Sequence, residues 1–253
     1  MQILSDILGS LPDGEVRDVR IGLHWTVVVV ETGGVLRCGL SSTLFTPHGH
    51  DQGPDIPAAG LLEYGSGLEL AELALSQHPT QASVGVAAIN ALLPRLAQRW
   101  SEDNAEEVIA RHGKGKRVVL VGRFPFVPRL RGRLAELQVL EQDPGPDDLP
   151  AEMAPEILPG ADVVAITGMS LINHTLEELL GLCSPGAFVI LLGPSTPLTP
   201  LLFAHGVNVL SGAVVTAIEP VLRIVSQGGN FRQVHRAGIR LVNMQSGMPD
   251  IFS

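Results

Sequence analysis

From Arg117 to Pro197 the chain repeats one pattern: a short run of Val, Ile and Leu without polar alternation, then a polar or Gly-rich turn, then a helix-compatible stretch. The runs are RVVLVG, LQVLEQ, ADVVAITG and AFVILLGPSTP. A strand buried on both faces of a parallel sheet reads this way, so the pattern predicts a Rossmann-like α/β half. Ahead of it, apolar spacing predicts a helix over Gln2–Leu8, strands around Val16–Val30 and Val35–Leu40, and a hairpin turn at Thr32-Gly33-Gly34. Ser41–Tyr64 is rich in Gly, Pro, His and Asp and reads as a long loop of functional length. Helical spacing returns over Leu68–Ser76 and Gln81–Leu92, where the small residues of ASVGVAAINA suit close packing. Pro94 marks a turn, and a connecting helix over Ala105–Arg111 ends at Gly113-Lys114-Gly115-Lys116. Strands then helices, followed by strict alternation, give the fold class: a small α+β domain over residues 1–112 and a parallel-sheet α/β domain over 113–253.

In such sheets ligands settle beyond the carboxyl ends of the strands, which nominates Gly122, Arg123, Glu141, Thr167, Gly168, Ser195 and Thr196. The turn after RVVLVG has no GxGxxG, so a standard dinucleotide site is poorly supported. Glu141, however, ends the second strand about 20 residues after Gly122, where an acid can accept hydrogen bonds from a ribose diol. That spacing keeps an adenine nucleotide open; the plain alternative is a solvated carboxylate. Arg123 suits an anionic ligand, and Phe124 and Phe126 suit packing. In TGMSLINHTLEELL, Gly168, Ser170, Asn173 and His174 lie at a helix entry whose free amides can hold an oxyanion. Thr175 with Glu178 has capping-box spacing. Thr196 before Pro197 reads as an N-cap, leaving Ser195 freer to face a ligand.

His24 alternates with Leu23 and Trp25, so a strand here would turn His24 and Thr26 to one side together. His48, His50 and Asp51 offer imidazole and carboxylate donors suited to a transition metal, with His24 and Glu141 as further ligands. A solvated loop is the plain alternative for His48–Asp51, and core packing for Asn90. No nucleophile–base pair, zinc spacing or phosphate loop is visible, so the sequence points to a site more than to a reaction.

HWT at His24–Thr26, GVAAINALLP at Gly85–Pro94, VGRFPFVPRLR at Val121–Arg131, LPGADVVAITGMSLINHTLEELL at Leu158–Leu180 and LLGPSTPLTPLLFAHGV at Leu191–Val207 resemble the putative heavy-metal chelation family. The resemblance runs through nearly the whole chain. It implies an enolase N-terminal-like domain before the Rossmann-like one, a site at their interface, and handling of a transition metal ion or metal chelate. An enzyme using an adenine-containing cofactor and a non-catalytic small-ligand-binding protein are the alternatives.

Composition narrows the partners. A formal charge of −9, with 26 acids against 17 bases, disfavours nucleic acid as a partner. No apolar stretch approaches membrane-spanning length and the start lacks signal-peptide character, so the cytoplasm is the expected location and no membrane partner is expected. Cys38 and Cys183 read as buried thiols rather than a disulfide framework. The apolar content permits a homodimer.

Overall fold

The computed structural model describes residues 1–45 and 53–247. The His48, His50 and Asp51 donors therefore lie outside the described residues. The amino-terminal part holds α1 (Gln2–Leu8), strands β1 (Glu15–Ile21), β2 (Trp25–Thr32) and β3 (Val35–Ser42), and helices α2 (Gly67–Glu72) and α3 (Pro79–Leu92). The three strands form an antiparallel sheet in the order β1-β2-β3. Thr32 pairs with Val35, so Gly33 and Gly34 alone make the turn, at φ 59° and 77°. Two successive positive φ values define the type I′ hairpin that Gly-Gly favours.

The expected strand over Val16–Val30 is instead two. The chain turns at residues 22–24, where the Gly22 N–H donates to Trp25 O at 2.9 Å, and β2 begins only at Trp25. His24 is therefore exposed in the turn rather than placed by strand alternation. The predicted Ser41–Tyr64 loop also shortens at both ends. Ser41 and Ser42 complete β3, and Leu62–Tyr64 form a single 3-10 turn.

Helix α3 explains how this part closes. Its Ala, Gly and Val positions are almost all buried, and it packs on β2, β3 and α2 at once. Small residues permit that close approach, while Ile89 and Leu92, both fully buried, each contribute about 1.5–3 kcal/mol of apolar burial.

After α4 (Ala105–His112) comes a seven-stranded sheet built from β4 (Arg117–Val121), β5 (Glu136–Glu141), β6 (Leu149–Pro150), β7 (Val163–Thr167), β8 (Phe188–Leu192), β9 (Val209–Val215) and β10 (Ile239–Gln245). The order is β10-β9-β8-β7-β4-β5-β6, parallel throughout except for β10, which runs antiparallel to β9. Successive residues face opposite sides. Val118 and Leu120 join one core with Ile109 of α4 and Leu130 of α5 (Val127–Arg131), and Val119 and Val121 join another. Burial on both faces is why these strands read as unbroken apolar runs.

The second of those cores is shared with the amino-terminal part: Val28, Val30, Ile89 and Leu92 belong to the same cluster as Val119, Ile166 and Leu210. β3 also lies against β9, and β1 and β2 against α9 (Ile218–Ser226). This seam meets the carboxyl edge of the large sheet at the turn after β8.

Candidate functional site

The strand order reverses between β4 and β7, so the connections that leave their carboxyl ends run to opposite sides of that point. Such a switch point is the usual ligand crevice of an open parallel sheet. Gly122 ends β4 at φ 101°, and a Cβ built on it would lie 3.0 Å from the Thr167 Cβ. The two sequence-nominated positions are thus in contact.

Glu141 completes this corner, and it is not simply a solvated carboxylate. One oxygen accepts the Arg123 N–H at 2.7 Å and the other its own neighbour's N–H, from Gln142, at 2.9 Å. The Arg123 guanidinium turns away to Asp148, bonding through Nε at 2.9 Å and through Nη2. Burial would raise the Asp148 carboxyl, but the Arg123 bond and the Gly145 N–H outweigh it and hold the group below its usual range. Phe124 and Phe126 stack at 5.3 Å and pack on the sheet.

The turn after β7 presses on the turn after β8. A Cβ on Gly168 would stand 2.7 Å from Thr196 Oγ1 and 2.8 Å from its backbone N, so only glycine fits. Thr167 Oγ1 accepts the Met169 N–H at 3.4 Å, and buried Ser170 donates to Thr167 O at 2.7 Å. Thr175 makes no capping box: its hydroxyl donates to Asn173 Oδ1 at 2.8 Å, and α7 (Leu176–Leu182) has no side-chain cap. Thr175 itself has helical dihedrals, which point its hydroxyl away from the amides a cap must reach. His174 sits at φ 60°, a left-handed conformation costing about 1–2 kcal/mol for a side chain of this kind. Its Nε2 lies 2.8 Å from Ala74 O, which can only accept, so that nitrogen carries the proton while Nδ1 faces the Gln77 amide at 3.5 Å. The ring thereby clamps the turn to the amino-terminal part.

Ser195, 1% exposed, stitches the seam. Its Oγ accepts the Ser42 N–H at 2.9 Å and donates to Ser42 Oγ at 3.3 Å, while its carbonyl accepts from Asn90 Nδ2 at 3.4 Å. Asn90 also donates to Leu40 O at 2.9 Å. Thr196 does not cap a helix: the next one, α8 (Leu201–Ala204), starts after Pro200, and Thr196 Oγ1 is buried without a hydrogen-bond partner among the described residues. Fully buried Thr26 faces Thr43, 2.9 Å between hydroxyls, and His24 meets the same residue through its carbonyl, which accepts the Thr43 N–H at 3.0 Å.

Gly122, Arg123, Glu141 and Thr167 thus form one group, and Asn90, Gly168, Ser195 and Thr196 a second beside it. No hydrogen bond joins His24 to Glu141, and among the described residues no three His, Cys, Asp or Glu side chains group as a metal centre. Ser42, Arg95 and Trp100 line or close the second group but were not singled out in the sequence; Arg95 and Trp100 stand in the irregular LLPRLAQRW stretch, where no periodicity flags them.

The chain aligns at 26% identity over 218 residues with an uncharacterised protein of Methanocaldococcus jannaschii, covering 83% of this chain and 82% of that one. Among solved structures, a DUF364-family protein of unknown function from Desulfitobacterium hafniense superposes with a TM-score of 0.83 at 29% identity, over 97% of this chain and 98% of that one. Another from Pyrococcus horikoshii, at 23% identity and TM-score 0.79 over 96% and 98%, shares the fold. Residues 5–93 match the DUF4213 family and residues 104–244 the DUF364 family, both described as "putative heavy-metal chelation". With more than half its length matched by the second alone, the chain belongs to the DUF364 family.

Proposed function

We propose that this protein binds a small polar or metal-bearing ligand at the carboxyl edge of the large sheet, in the seam between a domain of residues 1–112 and one of residues 113–253. The observation that carries the reading is the convergence of the turns after β4, β7 and β8 on a switch point, with the amino-terminal part closing one side. The metal component rests on the family description and on donor chemistry. His24 is exposed and takes an imidazole ligand role, Glu141 a carboxylate one, and His48, His50 and Asp51 supply further donors from sequence. With few protein donors at the sheet edge, a chelate that brings its own ligands suits this edge better than a bare ion.

A second reading is an adenine-containing cofactor, favoured by Glu141 at the end of β5. A ribose diol could displace the Arg123 N–H from that carboxylate, and the chemistry would then be enzymatic. The test is native mass spectrometry with elemental analysis on freshly purified protein kept free of chelator. A stoichiometric transition metal or metal-organic adduct supports the first reading, and its loss in Glu141→Ala or His24→Ala assigns the ligands. A metal-free adenine adduct supports the second. Protein that neither retains an adduct nor takes up added transition metal rules out the metal component.

A further inference from the structure

A cavity of about 30 Å3 lies beside the seam, lined by Asn90, Arg95, Trp100, Thr196, Leu198 and Ala213 among others. It contains an imbalance. Thr196 is 2% exposed, and its hydroxyl has no hydrogen-bond partner among the described residues; the Trp100 indole N–H is likewise buried and unpaired. Buried polar atoms are nearly always satisfied, so two unpaired groups on residues that line one cavity point to something that accepts from both. Tryptophan offers only a donor, which fixes the polarity of at least that contact.

Charge agrees with this polarity. Among the described residues, Arg95 is the one charged residue lining the cavity, and no carboxylate lines it. Its Nη2 donates to Val215 O at 2.7 Å, leaving other guanidinium N–H groups for a second acceptor. Arg95 is exposed as a residue, and the partial burial of its guanidinium together with the neighbouring Arg37 holds that group below its ordinary value. Cys38, also in the lining, is kept neutral by burial, which pushes its thiol up to about 12. Asn90 is held in place by its bonds to Leu40 O and Ser195 O.

We propose that this cavity is a subsite for the carboxylate of a small organic ligand, held by the Arg95 guanidinium, the Trp100 indole N–H and the Thr196 hydroxyl. The size favours a carboxylate: one water needs about 10–15 Å3 measured this way, so the space matches two or three heavy-atom positions, as in O–C–O. A fork-shaped guanidinium matches a carboxylate in-plane. The assignment deepens the seam reading and rests on it, since Asn90 and Thr196 belong to that site, but it needs neither a metal nor a nucleotide.

The test uses Trp100 as its own reporter. The chain has two tryptophans, so Trp25→Phe leaves Trp100 as the only one. Formate, a bare carboxylate, is titrated into the full chain at constant ionic strength set by chloride, with phosphate in a parallel arm. Three heavy atoms cannot bind more tightly than about 1 mM, so the titration runs to about 100 mM. The expected result is a saturable change in Trp100 emission with formate, weakened about tenfold or more by Arg95→Gln and about three- to tenfold by Thr196→Val. Thr196→Val keeps the shape and removes a hydroxyl with no partner among the described residues, so it folds even where Arg95→Gln, which strips a bond from Val215 O, does not. No saturation with formate, saturation by phosphate alone, or affinity unchanged in Thr196→Val overturns the proposal. A metal-free protein that binds formate here leaves the subsite standing while the metal component falls; a metal-loaded protein blind to formate does the reverse.

Discussion

Ser195 and Thr196 are neighbours in one turn, both essentially buried, and removing their hydroxyls should move stability in opposite directions. Ser195 Oγ is the acceptor for the Ser42 N–H, so Ser195→Ala leaves a backbone donor inside the seam with no partner. An orphaned buried donor costs about 1–3 kcal/mol, and because Ser42 is only partly buried the lower half of that range applies. Thr196→Val exchanges a hydroxyl that has no partner among the described residues for a methyl of the same shape, which removes a desolvation cost already present in the native state. Its expected effect is between zero and about 1 kcal/mol of added stability. For a chain of this length each kcal/mol moves Tm by about 2–4 °C, so the two variants should separate by several degrees. Thermal and urea unfolding followed by far-UV circular dichroism, in formate-free buffer, measure both. Equal losses in the two variants, or no loss in Ser195→Ala, would refute the assignment of the seam bond to Ser195 and of an unpaired hydroxyl to Thr196.

Gly85→Ala should be among the most damaging single changes: its Cβ would lie 1.9 Å from Ala74 N and 2.5 Å from Ala74 Cα, both backbone, so a loss of about 3 kcal/mol or more is expected, and a soluble variant melting within a few degrees of the parent would count against the packing described. Asp148 has a lowered folded-state pKa, so its stabilisation is complete above the unfolded value near 4 and is lost as pH falls through the folded one. Asp148→Asn should therefore flatten the acid limb of a urea-midpoint profile, and an unchanged acid limb would remove this pair from the pH response. Burial pushes the Cys38 thiol up to about 12 and the Cys183 thiol up to about 11, so neither should react rapidly with a thiol reagent at neutral pH until the chain is unfolded. Because one apolar cluster runs from Ile3 to Met244, heat should unfold residues 5–93 and 104–244 in one transition; amide exchange that released the first segment alone would contradict a shared core.

The strands of the large sheet were legible because burial on both faces writes itself as consecutive Val, Ile and Leu, and Val118 through Val121 alternate between two cores without a polar interruption. The Gly33-Gly34 turn was legible for a different reason, since its positive φ values leave few residues eligible. Caps were not. Thr175 and Thr196 each have the right neighbours in sequence, but a cap depends on backbone dihedrals and on where the next helix starts, and here tertiary packing decided both. His24 misled in the same way: apolar alternation continued through Leu23 and Trp25, while the Gly22 turn broke the strand. The sheet-edge residues were recoverable from topology alone, whereas Arg95 and Trp100 acquire meaning only from the fold that brings the LLPRLAQRW stretch against the turn after β8.

Three of the seam's hydrogen bonds, those nearest the cavity, run the same way, although the Ser195 hydroxyl also donates back to Ser42 Oγ. Ser42 N–H, Asn90 Nδ2 and Arg95 Nη2 all come from the amino-terminal side of the chain, and they donate to Ser195 Oγ, Ser195 O and Val215 O on the large sheet. Closing the two parts on each other therefore consumes sheet-side acceptors. The Trp100 N–H and the remaining N–H groups of Arg95 are left over on the donor side, and Thr196, whose hydroxyl is able to act as a donor, lines the same cavity. A polar cavity formed in this way is short of acceptors, and water satisfies it only in part because each water brings two protons of its own. A carboxylate brings acceptors without protons, and its charge suits the Arg95 guanidinium, beside which no carboxylate among the described residues lines the cavity. The same closure that makes the two parts one core thus prepares the cavity beside the seam for the anionic group of a ligand.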